Sequence, residues 1–261
     1  MFNILNIFLI FYIFCFAGWI WETIFVSIQE KKFANRGFLN GPYLPIYGFG
    51  GLFIYLIFQK YSTTFFSITS IKIYIVGLIL ATIVEYITSF LMEKILKARW
   101  WDYSNEFLNL NGRICLVACL FWGFLSVLFV QVINPIILSK LDLISHDLKL
   151  IIVSSLTTAI CIDFAVTTSA VLMLQTTITN ILKYETEKIE DFKNKLNSLS
   201  ELSDEHKKII NEYKNKLYVI QNPLVKRIVS AFPNLKFTSN KRQKIFDKIK
   251  EVRKNIKRKE K

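Results

Sequence analysis

Four long apolar blocks constrain this chain more than any other feature of it. Residues 4–28 read ILNIFLIFYIFCFAGWIWETIFVSI and carry one charge; residues 73–92, 114–138 and 149–174 are similar, and 46–58 is a shorter fifth. A helix needs about 20 apolar residues to cross the hydrocarbon of a bilayer. Four blocks meet that length, whereas a soluble domain would interleave polar positions to give each helix a wet face. The composition agrees, with 52% hydrophobic residues and 23 Phe in 261 residues. The expected class is all-α: a polytopic transmembrane helix bundle of five spans, the second short or re-entrant, sitting in a cell membrane. The first block lacks a basic stretch before it and a small-residue cleavage pattern near its end, so it reads as a span rather than a leader.

Cys15, Cys115, Cys119 and Cys161 all fall inside the blocks, while His146 and His206 lie elsewhere. That pattern suits small buried residues and is too sparse for a metal site. No metal or cofactor is expected.

Charge divides the chain in two. Residues 183–261 hold 22 of the 33 Lys+Arg and 11 of the 20 Asp+Glu. Basic segments stay in the cytoplasm, so residues 1–180 are expected to form the membrane domain and 181–261 a basic, helical cytoplasmic tail. With five spans the loops carrying Lys31, Lys32, Arg36 and Lys94, Lys97, Arg99, Arg113 then lie inside as well. If 46–58 dips in and returns, the N-terminus moves inside and this charge bias is spoiled.

The tail has two parts. Leu182, Ile189 and Leu196 repeat every seven residues, as do Phe192 and Leu199; beyond a cap at Ser203, Ile209, Ile210, Tyr213 and Leu217 form another apolar face. A helical hairpin or a coiled-coil dimer would bury such stripes. Residues 226–261 are more basic, and Pro233 is expected to end any helix before it. Further on, Ile245, Ile249, Val252 and Ile256 line one side of a basic helix, which suits either an anionic lipid surface or solvent. No nucleic-acid motif accompanies the charge.

Three carboxyl groups lie within spans: Glu22, Glu85 and Asp163. An acid at mid-bilayer costs at least ~2.5 kcal/mol and so faces protein or water. Glu22 has Gly18 and Trp19 beside it; Glu85 shares a face with Ala81, Thr88, Ser89 and Glu93; Asp163 shares one with Ser155, Ala159 and Thr167. Small and polar neighbours mark helix–helix seams. The three acids are candidates either for a polar path or for packing, paired to Arg36 or Arg113.

Between the first two blocks, NRGFLNGPYLPIYGFGG (35–51) concentrates five of the nine Gly and two of the five Pro. Glycine permits positive φ and proline breaks the helix before it. An irregular floor at the cytoplasmic interface follows, with Arg36 beside it and backbone N–H groups free to hold an anion or a carboxylate. The next loop on that side, RWWDYSNEFLNLNGRICL (99–116), adds Asp102, Asn109, Asn111 and Arg113. Its Trp100, Trp101 and Tyr103 suit aromatic anchors at headgroup depth.

These loops also carry a resemblance. GWIWE (18–22), NRGFLNGPYLPIYGFG (35–50), WDYS (101–104) and NGRICL…WG (111–123), in this order, resemble the CmpB family of ABC-transporter type IV permeases. The match covers roughly residues 10–125, and AFPNLK (231–236) resembles the tails of bacterial members. The resemblance implies a bacterial integral membrane protein acting as a permease or transport-associated subunit. Because G-x-x-x-x-G-K-[ST] does not occur here, ATP hydrolysis would belong to a separate subunit. Two other functions stay open. One is an enzyme acting on lipid headgroups, with Arg36 and Arg113 on phosphate and Glu22 or Asp102 as base. The other is a scaffold, with its tail on partners or anionic lipid and an oligomer as a further option. Nucleic acid is disfavoured as a partner.

Overall fold

A computed structural model describes residues 3–62, 69–195, 222–232 and 235–247. Its helices include α1 (Ile4–Glu30), α2 (Pro45–Ser62), α3 (Ser70–Leu96), α4 (Leu116–Leu128), α5 (Asn134–Leu141), α6 (His146–Lys195) and α7 (Pro223–Ala231). Two short strands, β1 (Ala98–Arg99) and β2 (Lys236–Phe237), pair antiparallel. The protein is therefore the expected membrane helix bundle. Among the described residues four helical stretches are long and apolar enough to cross a bilayer, and α2 is the shorter fifth.

Local chemistry sets the ends of these helices. Asn3 caps α1, its side chain accepting from the Leu5 N–H. Lys31 closes α1 in the left-handed conformation, and the N–H groups of Lys31 and Lys32 return to the carbonyls of Ile28 and Ser27. Pro45 opens α2, where its missing N–H is no loss. Between α4 and α5 the chain widens into a π-helical turn, Phe129–Ile133, in which the Asn134 N–H reaches back to Phe129. Pro135 follows at once; lacking an N–H, it would break an α-helical ladder there, and the wider turn carries the helix past it. Leu116–Leu141 thus works as one span.

The bundle consists of two antiparallel pairs, α1 with α2 and α3 with α4, with α6 along the outside. In α3 two stripes at four-residue spacing separate lipid from protein. Ile71, Ile75, Ile79, Ile83 and Ile87 are exposed, while Ile73, Gly77, Ala81, Glu85 and Ser89 are buried. Small side chains turn inward because close approach, rather than hydrophobicity, holds helices together in lipid. A Cβ on Gly77 would strike Ser126 of α4, and one on Gly51 would strike the Phe14 ring of α1.

The second segment crosses. Ile54, Tyr55 and Phe58 of α2 pack with Leu5, Leu9 and Ile10 at the far end of α1. Its 18 residues span roughly 27 Å at 1.5 Å per residue. The re-entrant alternative, in which the chain would turn back, is not adopted.

α6 has 50 residues, roughly 75 Å of helix, well over twice a bilayer's hydrocarbon. It runs unbroken through residue 180, the expected domain boundary. Its far part joins a second core built from the end of α3, β1, Trp100, α7 and the residues around β2. Residues 222–232 and 235–247 lie as a strap across one end of the bundle. α7 stops at Ala231, ahead of Pro233 as expected. Three features differ from the sequence expectation. Trp100 is 3% exposed, packed edge-on against Phe38 and Phe232, so it serves as core and not as a headgroup anchor. Ile245 is buried beside Phe246 rather than turned to a lipid surface or to solvent. Ser155 and Ala159 are exposed. A four-residue stripe rotates by about 40° per step, and a helix touching the bundle on one side cannot keep it in contact; α3, flanked by α2 and α4, can. The stripes between 196 and 221, and Ile249, Val252 and Ile256, lie outside the described residues.

Candidate functional site

The glycine- and proline-rich stretch does more than form a floor: it runs back down the side of α1. The Ala34 N–H donates to Ser27 Oγ (3.0 Å), the Arg36 N–H to Thr23 Oγ1 (3.4 Å), Trp19 Nε1 to Asn35 Oδ1 (2.7 Å), and the Leu44 N–H to the Cys15 carbonyl (2.9 Å). Ser27, Thr23, Trp19 and Cys15 are four residues apart, one face of one helix. The loop therefore descends about 18 Å along α1. An interface floor was the expectation; the correction follows from backbone accounting, since a buried loop needs a partner for each polar group. Gly37 sits at φ 120, where a Cβ would also meet Leu44.

The inner turn of this loop is held by two opposite charges. Asp163 of α6 accepts from the Asn40 N–H at 3.0 Å and the Gly41 N–H at 2.6 Å, and Thr167 Oγ1 donates to it at 2.9 Å. Arg227 of α7 donates to the carbonyls of Gly37, Phe38 and Leu39. Burial lowers the Arg227 pKa, opposed by the field of Asp163. The expected backbone cradle for an anion exists, and the chain fills it with its own carboxylate. Arg227 carried no local signal in the sequence; its role appears only when the strap is seen against the loop.

Arg36 lies where the loop leaves α1. Its guanidinium pairs with Glu22 (3.6 Å), bonds the Ala231 carbonyl at the end of α7 and covers the Phe232 ring. Glu22 also accepts from the Tyr47 hydroxyl at 2.9 Å. Arg113 pairs elsewhere, with Glu93 at 2.7 Å, and rests on Tyr86 and Phe90. From there charges alternate outward: Glu93 to Arg99 (3.4 Å), Arg99 to Asp102 (3.5 Å), Asp102 to Lys236 (2.6 Å). Partial burial opposes ionisation of Asp102, but bonds from Lys236 and Ser104 prevail and hold its pKa well below the usual carboxylate range. Gly112, at φ 66, passes so close to Asp102 and Ser104 that a Cβ would clash with both. The two arginines envisaged as a phosphate clamp thus engage different partners on different helices.

Glu85 is 5% exposed, in the interior stripe of α3. Trp122 Nε1 donates to one oxygen at 2.7 Å and the Tyr103 hydroxyl to the other at 3.2 Å. Tyr103 is pushed far above its ordinary pKa by burial and by the nearby carboxylates of Glu85 and Glu22, so it stays a donor. Tyr47 and Trp122 meet edge to face at 5.1 Å. Glu22 and Glu85 are thereby joined through Tyr47 and Trp122 into one cluster. Asp163 instead bonds Asn40, Gly41 and Thr167, and among the described residues no hydrogen bond or ion pair runs directly from it to this cluster.

Below this cluster, between the two helix pairs, lies a cavity of about 280 Å³. Phe14, Gly18, Gly50, Ala81, Leu125 and Phe129 form much of its apolar wall, and Tyr47, Glu85 and Trp122 supply its polar end. Sequence reasoning found Glu85 but neither of its donors, which come from other elements. Cys15 and Cys115 are buried as expected; Cys119 is half-buried and Cys161 exposed. Among the described residues no group of His, Cys, Asp and Glu is arranged to hold a metal.

The family model described as "Putative ABC-transporter type IV", of the CmpB type, matches residues 9–168. No curated protein and no solved structure matches the chain. The matched region runs from α1 into α6 and contains Glu22, Arg36, Glu85, Asp102, Arg113 and Asp163. It takes in the whole cavity as well as the loop that Asp163 holds. This chain belongs to the CmpB family, and it is a multi-pass, transport-associated membrane protein of the ABC-transporter permease kind.

Proposed function

We propose that the chain is the membrane subunit of a transporter whose energy comes from a separate ATPase. In this reading the cavity between the two helix pairs is part of the path. Glu85 and Glu22, with Tyr47, Tyr103 and Trp122, are its polar lining. Arg36, Asp102, Arg113 and Asp163 are the supports that hold the surrounding loops. The strapped end of the bundle faces the cytoplasm, in keeping with its basic loops, and offers the surface for the ATPase. The observation that carries the reading is the placement of a buried carboxyl group in the wall of an intramembrane cavity, because such a group is costly unless it serves a site.

The test is twofold. Tagged protein purified from native membranes should bring an ATPase subunit with it, and hydrolysis by the reconstituted pair should fall at least tenfold in Glu85→Gln. Transport and coupled hydrolysis that persist unchanged in both Glu85→Gln and Glu22→Gln would overturn the path.

A further inference from the structure

The cavity has a shape and a charge that define a ligand class. We propose that it binds single-chain amphiphiles with a cationic nitrogen head, which reach it from the bilayer between α1 and α4. As the substrate class of the path described above, this inference rests on the transport reading.

Size comes first. An apolar cavity of about 150 Å³ takes a benzene ring, and small-molecule pockets begin near 300 Å³. The 280 Å³ here admits one aliphatic chain or one ring, not a two-chain lipid. Its wall is apolar except at one end. Ser126 lines it too, but its hydroxyl already donates to the Trp122 carbonyl at 2.7 Å.

Charge decides the head. The Glu85 carboxyl group receives two neutral donors, and among the described residues no cation pairs with it. Arg36 and Arg113, the cations that the sequence offered, are held by Glu22 and Glu93. A carboxylate has room for more than two bonds, and an intramembrane acid ordinarily finds a partner. Trp122, bonded to Glu85, and Tyr47, packed against Trp122, place aromatic rings at this end of the cavity, and aromatic faces attract ammonium groups. An anionic head would instead face Glu85, with Glu22 close behind Tyr47.

Access is lateral. Trp21 and Leu128, on the rim, are 46% and 38% exposed, and Ala17 is exposed beside them. Trp21 stacks on Phe121 across this seam at 5.7 Å. Gly50 leaves open space: a Cβ built on it meets nothing within 4 Å.

The experiment uses the full chain in zwitterionic nanodiscs, without nucleotide or partner, and follows quenching of tryptophan fluorescence. The probes are ω-bromoundecyltrimethylammonium, ω-bromoundecanol and ω-bromoundecanoate. Gly50→Leu, which fills the cavity, supplies the background from quencher dissolved in lipid; Leu125→Trp fills it from the opposite wall and is read by displacement of the ammonium probe. Above that background the ammonium should quench saturably, with Kd at least tenfold lower than that of the alcohol, and Glu85→Gln should erase this difference. Equal quenching by all three probes, or an ammonium Kd unchanged in Glu85→Gln or in both filled variants, overturns the proposal. Because binding is read without ATP, saturable ammonium binding beside failed transport would sink the transport reading alone. Transport without such binding would sink only the ligand class.

Discussion

Asp163 accepts the Gly41 N–H at 2.6 Å, across more than a hundred residues of sequence. An acid that reads in the sequence as either a path or a packing residue thus holds the backbone of a loop. Asp163→Asn should lower stability by about 1.5–3 kcal/mol, the usual worth of bonds to a charged acceptor, with the ammonium Kd within twofold of wild type. Thermal melting in detergent and the quenching titration check the two halves.

The α1–α2 contact depends on which glycine is replaced. Gly51→Ala should cost about 1–3 kcal/mol, because its Cβ would meet the Phe14 ring at 2.6 Å and the helices must part. Gly50→Ala, one residue earlier, should fall within 0.5 kcal/mol of wild type, as is usual away from packed sites. Reversible unfolding in mixed micelles separates them.

Glu93 anchors Arg113 at 2.7 Å and Arg99 at 3.4 Å. Removing it leaves Arg113, only 12% exposed, without its counter-charge. Glu93→Gln should therefore cost about 3 kcal/mol. Adding Arg113→Met should recover part of that loss, which a double-mutant cycle measures.

The low pKa of Asp102 makes one part of the strap's attachment acid-sensitive. A carboxylate whose pKa is depressed on folding adds stability that is complete above its unfolded value, about 3.9, and is lost as pH falls through the folded value. The melting-temperature gap between wild type and Asp102→Asn should be constant from pH 7 to about pH 5, then close as pH falls below 4. A gap that widens on acidification would show the sign to be wrong.

Much of the bundle was legible in the chain. Length and apolarity fix the spans because lipid offers no partner for an unpaired backbone. Small residues mark seams because lipid does not drive helices together. Glu85 was legible for the same reason, with Ala81 and Ser89 four residues to either side. Trp100 misled, since an aromatic residue beside a basic loop suits a headgroup anchor equally well until Phe232 of the strap packs against it.

What the sequence by itself determined is therefore solvent: which segments meet hydrocarbon, which ionisable groups require shelter there, and where the backbone breaks. Only the tertiary structure decided partners. It gave Asp163 to the loop, Arg36 to Glu22, Arg113 to Glu93, and, among the described residues, left Glu85 at a cavity with neutral donors alone. The reason is physical: the cost of burying a charge or an N–H belongs to the residue and its span, whereas the group that offsets it comes from any element that packs within about 3 Å, however distant in the chain.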